Sequence, residues 1–182
     1  MGLLISSFID EMVNKFRKPM SILILGLDNA GKTQVLYCMK LDHPITNTVP
    51  TLGFNLEEFQ YKNLSIKAWD LGGQTKFRTM WHHYFEDVNG IIFVLDSQDR
   101  SRFTDAKNEL ENLLHNEKLS DVPFLVFANK QDLPEAAEIT EIKRKFDWDE
   151  LSKLHNIHMV ACVASENHKI SVGLDWLSSA IR

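Results

Sequence analysis

Between Gly26 and Thr33 the chain reads GLDNAGKT, entered from the apolar run Ile22-Leu23-Ile24-Leu25. The spacing is glycine, four residues, glycine, lysine, threonine, and each type has a chemical use. Gly26 and Gly31 permit backbone angles and close approaches that a Cβ obstructs. The loop through Asp28, Asn29, Ala30, Gly31, Lys32, Thr33 and Gln34 can then turn successive N–H groups inward. That makes a nest for phosphate oxygens at the start of a helix. Lys32 adds a point charge toward the β- and γ-phosphates, and the Thr33 hydroxyl is a ligand for Mg²⁺. The plain alternative is an ordinary strand–turn–helix.

A site that hydrolyses a nucleotide needs a second metal contact, a sensor of the γ-phosphate and a group that places water. Trp69-Asp70-Leu71-Gly72-Gly73-Gln74 offers all three after a predicted strand. Asp70 can hold Mg²⁺ through a water, Gly73 can present its N–H to the γ-phosphate, and Gln74 can orient the attacking water. In Thr48-Val49-Pro50-Thr51, Thr51 can complete the metal shell only when a γ-phosphate is present. The metal set is therefore Thr33, Thr51 and Asp70, and the catalytic set is Gln74, Lys32 and Thr51.

The run Phe124–Ala128 ends in Asn129-Lys130-Gln131-Asp132. The two acceptor oxygens of Asp132 match the N1–H and N2–H₂ donors of guanine. Adenine has neither donor there and leaves a buried carboxylate unpaired, a mismatch that costs up to about 10⁴-fold. The stem of Lys130 can cover a ring face, and Asn129 ties the loop to its neighbours.

These motifs need elements to position them. Apolar runs at 21–26, 90–96 and 122–128 predict strands buried on both faces, as in a parallel sheet. Amphipathic stretches near 32–41, 100–116, 135–146 and 172–182 predict helices. Residues 54–61 and 64–70, separated by Lys62-Asn63, predict an antiparallel hairpin at one edge. Residues 157–163 supply a last strand. The order implies a doubly wound α/β sheet with helices on both faces, whose ligands bind at the carboxyl ends of the strands. Residues 105–118 carry Asp105, Lys107, Glu109, Glu111 and Lys118, read as a mixed solvated face.

The 182 residues fit one domain, 44% hydrophobic and 25% charged, with a net charge of −5 that argues against a nucleic-acid partner. Cys38 and Cys162 lie in apolar surroundings and predict core thiols of a reducing compartment. No run approaches the ~20 apolar residues that span a bilayer, and no secretory leader is evident.

The stretches GLDNAGKT, VPTLGFN, WDLGGQ, FVLDSQDR, FANKQDLP and GLDWL resemble the ADP-ribosylation factor and Arf-like family of small GTPases, from about residue 2 to the end. The resemblance implies a P-loop NTPase fold of the Ras-like type: a mostly parallel six-stranded sheet with one antiparallel edge strand. It implies a GTPase that binds GTP, GDP and Mg²⁺ and hydrolyses slowly without an activating protein, since no switch-loop arginine is obviously placed as a finger. It further implies an exchange factor, effector proteins, a monomeric state and control of membrane traffic. Phe54, Trp69 and Tyr84 match the aromatic trio such proteins show to effectors. Cys162 and Val163 match the last guanine loop, where a backbone N–H from Val163 can meet the guanine carbonyl. Val163 stands where the family more often has alanine.

Residues 1–18 are read as an N-terminal amphipathic helix ahead of a GTPase domain at 19–182. Gly2 followed by Ser6 satisfies an N-myristoylation pattern. Leu4, Ile5, Phe8, Ile9, Met12, Val13 and Phe16 form an apolar stripe. A single acyl chain holds weakly, K ~10⁴ M⁻¹, so the helix is the second membrane signal. The expectation is a cytoplasmic protein that cycles onto the cytosolic face of membranes, Golgi or endosomal. Two other readings compete: a GTP-loaded scaffold that hardly turns over, and an ATP-dependent small-molecule kinase. Gln74 argues against the first, and Asn129 to Asp132 against the second.

Overall fold

A computed structural model describes residues 20–41, 51–62 and 64–181. The helix expected at 1–18, Gly2, Thr48–Pro50 of the polar loop and Asn63 of the hairpin turn lie outside the described residues.

Six strands form one sheet: β1 (Met20–Leu25), β2 (Phe54–Tyr61), β3 (Leu64–Leu71), β4 (Gly90–Asp96), β5 (Phe124–Asn129) and β6 (Ile157–Ala161). Their order is β2-β3-β1-β4-β5-β6, and β2–β3 is the antiparallel pair. This is the expected sheet with its antiparallel edge. The helices are α1 (Lys32–Leu41), α2 (Thr75–Arg78), α3 (Phe103–Leu114), α4 (Ile139–Lys145), α5 (Trp148–Leu154) and α6 (Asn167–Ala180).

Alternation along the central strands divides the core between two faces. Ile22, Ile24, Ile92, Val94, Leu125 and Phe127 pack with Val35 and Leu36 of α1 and with Leu174 and Leu177 of α6. Leu23, Leu25, Ile91, Phe93, Phe124 and Val126 pack on the other side with Phe103 and Leu110 of α3 and with Phe146. Each such side chain contributes about 1.5–3 kcal/mol on burial. Both faces are therefore apolar, which is why the sequence shows runs rather than alternation. Cys38 and Cys162 are both buried in the first of these clusters, as expected of core thiols.

Three expectations need correction. The helix expected at 135–146 begins only at Ile139, because Leu133 and Ala136 close turns and the Ala137 N–H donates to the Ser97 carbonyl at 2.7 Å. Asp147 then adopts a left-handed φ of +50° and separates α4 from α5, a helix the periodicity did not reveal. The last helix starts at Asn167 rather than 172, with Ile170 buried one turn before Leu174.

The strand order reverses at β1, which pairs with β3 on one side and β4 on the other. A ligand crevice is expected beside such a point, at the carboxyl ends. The loops after β1, β3, β4, β5 and β6 all emerge there, and they carry the motifs. Among the described residues no helix is long and apolar enough to cross a membrane.

Candidate functional site

The chain leaves β1 at Gly26 with φ +137°, and a Cβ there would lie 2.2 Å from the Val94 carbonyl oxygen of β4. Only glycine lets the loop start so close to the neighbouring strand. The loop then curls over Lys32, whose Nζ donates to the Leu27 carbonyl at 2.9 Å. Burial pushes the Lys32 ammonium down to about 8, against the pull of Asp70 and Asp28. An anion arriving in the loop would meet both this amine and the helix N-terminus.

A cavity of about 300 Å³ opens above the loop, lined by Asp28, Asn29, Gly31, Lys32, Thr33, Gln34, Thr51, Gly73, Gln74 and Lys130. All ten belong to the predicted set. Ala30 is buried beneath them.

At one end of the cavity three side-chain oxygens converge. Thr33 Oγ1 donates to Asp70 Oδ2 at 2.6 Å, Thr51 Oγ1 lies 3.2 Å from the same oxygen, and the two hydroxyls are 3.2 Å apart. Asp70 is fully buried, and its Oδ1 has no hydrogen-bond partner among the described residues. Burial raises the Asp70 carboxyl above its ordinary value, opposed by its bonds from Thr33 and the charge of Lys32. An all-oxygen donor set with an orphaned buried carboxylate oxygen fits a hard divalent cation such as Mg²⁺.

The segment after β3 lies directly on the phosphate loop. The Asp28 N–H donates to the Gly73 carbonyl at 3.2 Å, and a Cβ on Gly73 would lie 2.4–2.5 Å from backbone atoms of Gly26, Leu27 and Asp28. The Gly72 N–H donates to the Gly53 carbonyl at 2.9 Å, which joins this segment to the loop carrying Thr51. Trp81 is buried and donates Nε1 to the Gly72 carbonyl at 3.2 Å. Gln74 borders the cavity as the residue before α2.

The expected base corner is assembled from three loops. Asn129 is buried, donating Nδ2 to the Ala30 carbonyl and accepting the Ala164 N–H at Oδ1, both at 2.9 Å. It thereby ties the loop after β5 to the phosphate loop and to the loop after β6. Cys162 is buried beneath, its thiol pushed far up by burial, while Val163 is half-buried. Lys130 takes a left-handed φ of +65° and pairs with Asp96 Oδ2 at 2.6 Å. Asp132 is exposed, not buried as the specificity argument assumed. The burial that penalises a wrong base must then come from the base itself.

Sequence reasoning missed the braces. Asp96 anchors Lys130, and Gln131 Nε2 donates to Ser97 Oγ at 2.7 Å. Arg102 donates to Asp28 Oδ1 at 3.0 Å and to the Asp28 carbonyl at 3.2 Å. Asp96 stands in FVLDSQDR and Arg102 in the turn just before α3, but their partners are far away in sequence.

Phe54, Trp69 and Tyr84 do come together, with ring centroids 5.3–5.8 Å apart. Trp69 and Tyr84 are half-buried against the core, and Phe54 is 53% exposed. Leu52 and Met80 are exposed as well.

This chain matches the model of the ADP-ribosylation factor family over residues 5–181. Among solved structures it resembles the Arl6 BBS3 small GTPase from Trypanosoma brucei with bound nucleotide analogue GppNp, at 30% identity and a TM-score of 0.81. The match covers 89% of this chain and 96% of that one. The sheet order, the loop at the end of β1 and these matches agree on a P-loop NTPase fold, and the chain belongs to the ADP-ribosylation factor family of small, GTP-hydrolysing GTPases.

Proposed function

We propose that this GTPase is a Mg²⁺-dependent switch that regulates membrane traffic by exposing one surface when loaded with GTP and withdrawing it after hydrolysis. The observation that carries the reading is the meeting of Thr51 with Thr33 and Asp70. Thr51 would add its oxygen to a cation held by Thr33 and Asp70, so a γ-phosphate and a cation would stabilise this arrangement and hydrolysis would release it. GppNp in the Trypanosoma relative supports the same ligand class here.

In this scheme Asp132 accepts both donors of guanine, and Lys130 lays its stem along the ring. Lys32 balances charge on the β- and γ-phosphates, and the loop N–H groups hold their oxygens. Thr33, Thr51 and Asp70 would hold Mg²⁺, which when bound neutralises charge shared by the transferring and leaving phosphates. Gly73 donates its N–H to the γ-phosphate while Gln74 orients water for in-line attack. An arginine from an activating partner is expected to accelerate the step by about 10³–10⁵. An exchange factor reloads the site. Effectors would read Phe54, Trp69 and Tyr84, and the N-terminal helix with acylated Gly2 would meet the cytosolic face of a Golgi or endosomal membrane.

Thr51→Ala tests the nucleotide half of the proposal and liposome partition of the wild type tests the membrane half. The substitution is expected to weaken a non-hydrolysable GTP analogue about 10–100-fold in Mg²⁺, with GDP changed less than about threefold. Acylated wild-type protein should co-sediment with liposomes when it carries the analogue and stay in solution with GDP. Equal losses for the two nucleotides would refute the switch, and partition indifferent to nucleotide would refute its coupling to membrane.

A further inference from the structure

The half-buried guanidinium of Arg78 has no place in the scheme above. Its side chain is only 14% exposed, and all three nitrogens face acceptors. Nε donates to the Gly73 carbonyl at 2.8 Å, and Nη1 donates to Glu109 Oε1 of α3 at 3.1 Å. Nη2 lies 3.8 Å from Asp28 Oδ1. Asp28 is itself braced by Arg102. The backbone N–H of Arg78 also donates, at 3.3 Å, to the Gln74 carbonyl, which accepts the Phe77 N–H at 2.8 Å as well. The guanidinium therefore grips the carbonyl before Gln74, and the first backbone bonds of α2 hold the carbonyl of Gln74 itself.

Pinning the two peptide planes that flank a Cα fixes the direction of its Cα–Cβ bond. Gln74 holds an extended φ/ψ of −64°/145°, and its side chain makes no capping bond to α2. The backbone is thus held while the amide stays available to the cavity.

We propose that Arg78 is a positioning residue for GTP hydrolysis: through the Gly73 carbonyl it aims Gln74 at the γ-phosphate, using Glu109 and Asp28 as anchors. The proposal rests on the reading of Gln74 as the residue that orients water. Lysine at this position keeps the charge but loses the planar fork, so it cannot serve Gly73, Glu109 and Asp28 together.

The test is single-turnover hydrolysis by the full chain preloaded with GTP and Mg²⁺, comparing wild type, Arg78→Lys, Gln74→Leu and the double variant, with affinities for both nucleotides. Arg78→Lys, whose ammonium can still donate to the Gly73 carbonyl but no longer reaches Glu109 and Asp28 at the same time, is expected to slow hydrolysis about tenfold while GTP and GDP affinities move less than about threefold. In the Gln74→Leu background the same change should slow hydrolysis no further, since the group it positions is gone. Glu109→Gln, which weakens one anchor only, should slow hydrolysis about two- to threefold with the same masking; it stands in if Arg78→Lys does not fold. An unchanged rate, equal slowing in both backgrounds, or loss of nucleotide affinity in step with the rate would each overturn the proposal. If Gln74→Leu alone leaves the rate intact, the assignment of Gln74 falls and this inference falls with it.

Discussion

Replacing Gly73 by alanine puts one methyl group where the structure has no space. The added Cβ would lie 2.4 Å from Leu27 C, 2.5 Å from Asp28 N and 2.5 Å from Gly26 O. These are backbone atoms of a loop fixed on one side by Val94, so no side chain can swing aside. The segment after β3 must lift instead. Lifting breaks the Asp28 N–H bond to the Gly73 carbonyl and the Arg78 Nε bond to the same oxygen. A neutral bond contributes about 1 kcal/mol net and one from a charged group about 1.5–3 kcal/mol, so the loss is about 2.5–4 kcal/mol. That is on the order of 10²–10³ in an equilibrium constant. The cost should fall on the triphosphate state, because the proposed bond from the Gly73 N–H to a γ-phosphate requires this segment closed and a diphosphate offers no such bond. Equilibrium titration with fluorescent GDP and a fluorescent non-hydrolysable GTP analogue, at saturating Mg²⁺, measures it. Gly73→Ala should weaken the analogue about 10²–10³-fold and GDP less than about threefold. Retention of the analogue within threefold, or parallel loss of GDP, would show that closure of this segment is not what distinguishes the two nucleotides.

Two further outcomes follow from single residues. Lys32, lowered by burial to about 8 in the nucleotide-free protein, should return toward its ordinary value beside phosphate. Binding therefore takes up a proton where the free amine is neutral. Calorimetry in buffers of different ionisation enthalpy should find about three-quarters of a proton from this group at pH 8.5 and about a tenth at pH 7; equal uptake at the two pH values would contradict the assignment. Asp132→Asn replaces two acceptors with one acceptor and one donor, which suits a base with a C2 carbonyl rather than a C2 amine. Competition should show GTP weakened about 10²–10⁴-fold and xanthosine triphosphate strengthened, and an unchanged preference would remove Asp132 from base reading.

How much of this was legible in the sequence depended on distance along the chain. The phosphate loop is eight consecutive residues, and its glycines are required by local contacts such as the approach of Gly26 to Val94. Asp70 and Asn129 stand at the ends of strands, and Gln74 three residues beyond one, so their arrival at one edge followed from the strand order. Helix limits were less legible, because the backbone near Ala137 is claimed by Ser97, forty residues earlier, rather than by local propensity. The braces were not legible at all. Periodicity assigns Glu109 to a solvated face of α3, and that holds until α2 is laid across it and Arg78 takes its carboxylate. Likewise nothing near Asp28 announces that Arg102 will neutralise it. The difference has a physical cause. A group that touches a nucleotide must have a particular chemical type, and type is written in the sequence. A brace needs only a charge that reaches, and reach is created by the fold. The acidic Asp28 beside a phosphate cavity illustrates the point: alone it would repel the ligand, and it is tolerable there because Arg102 and Arg78, placed by two separate elements, draw its charge toward themselves.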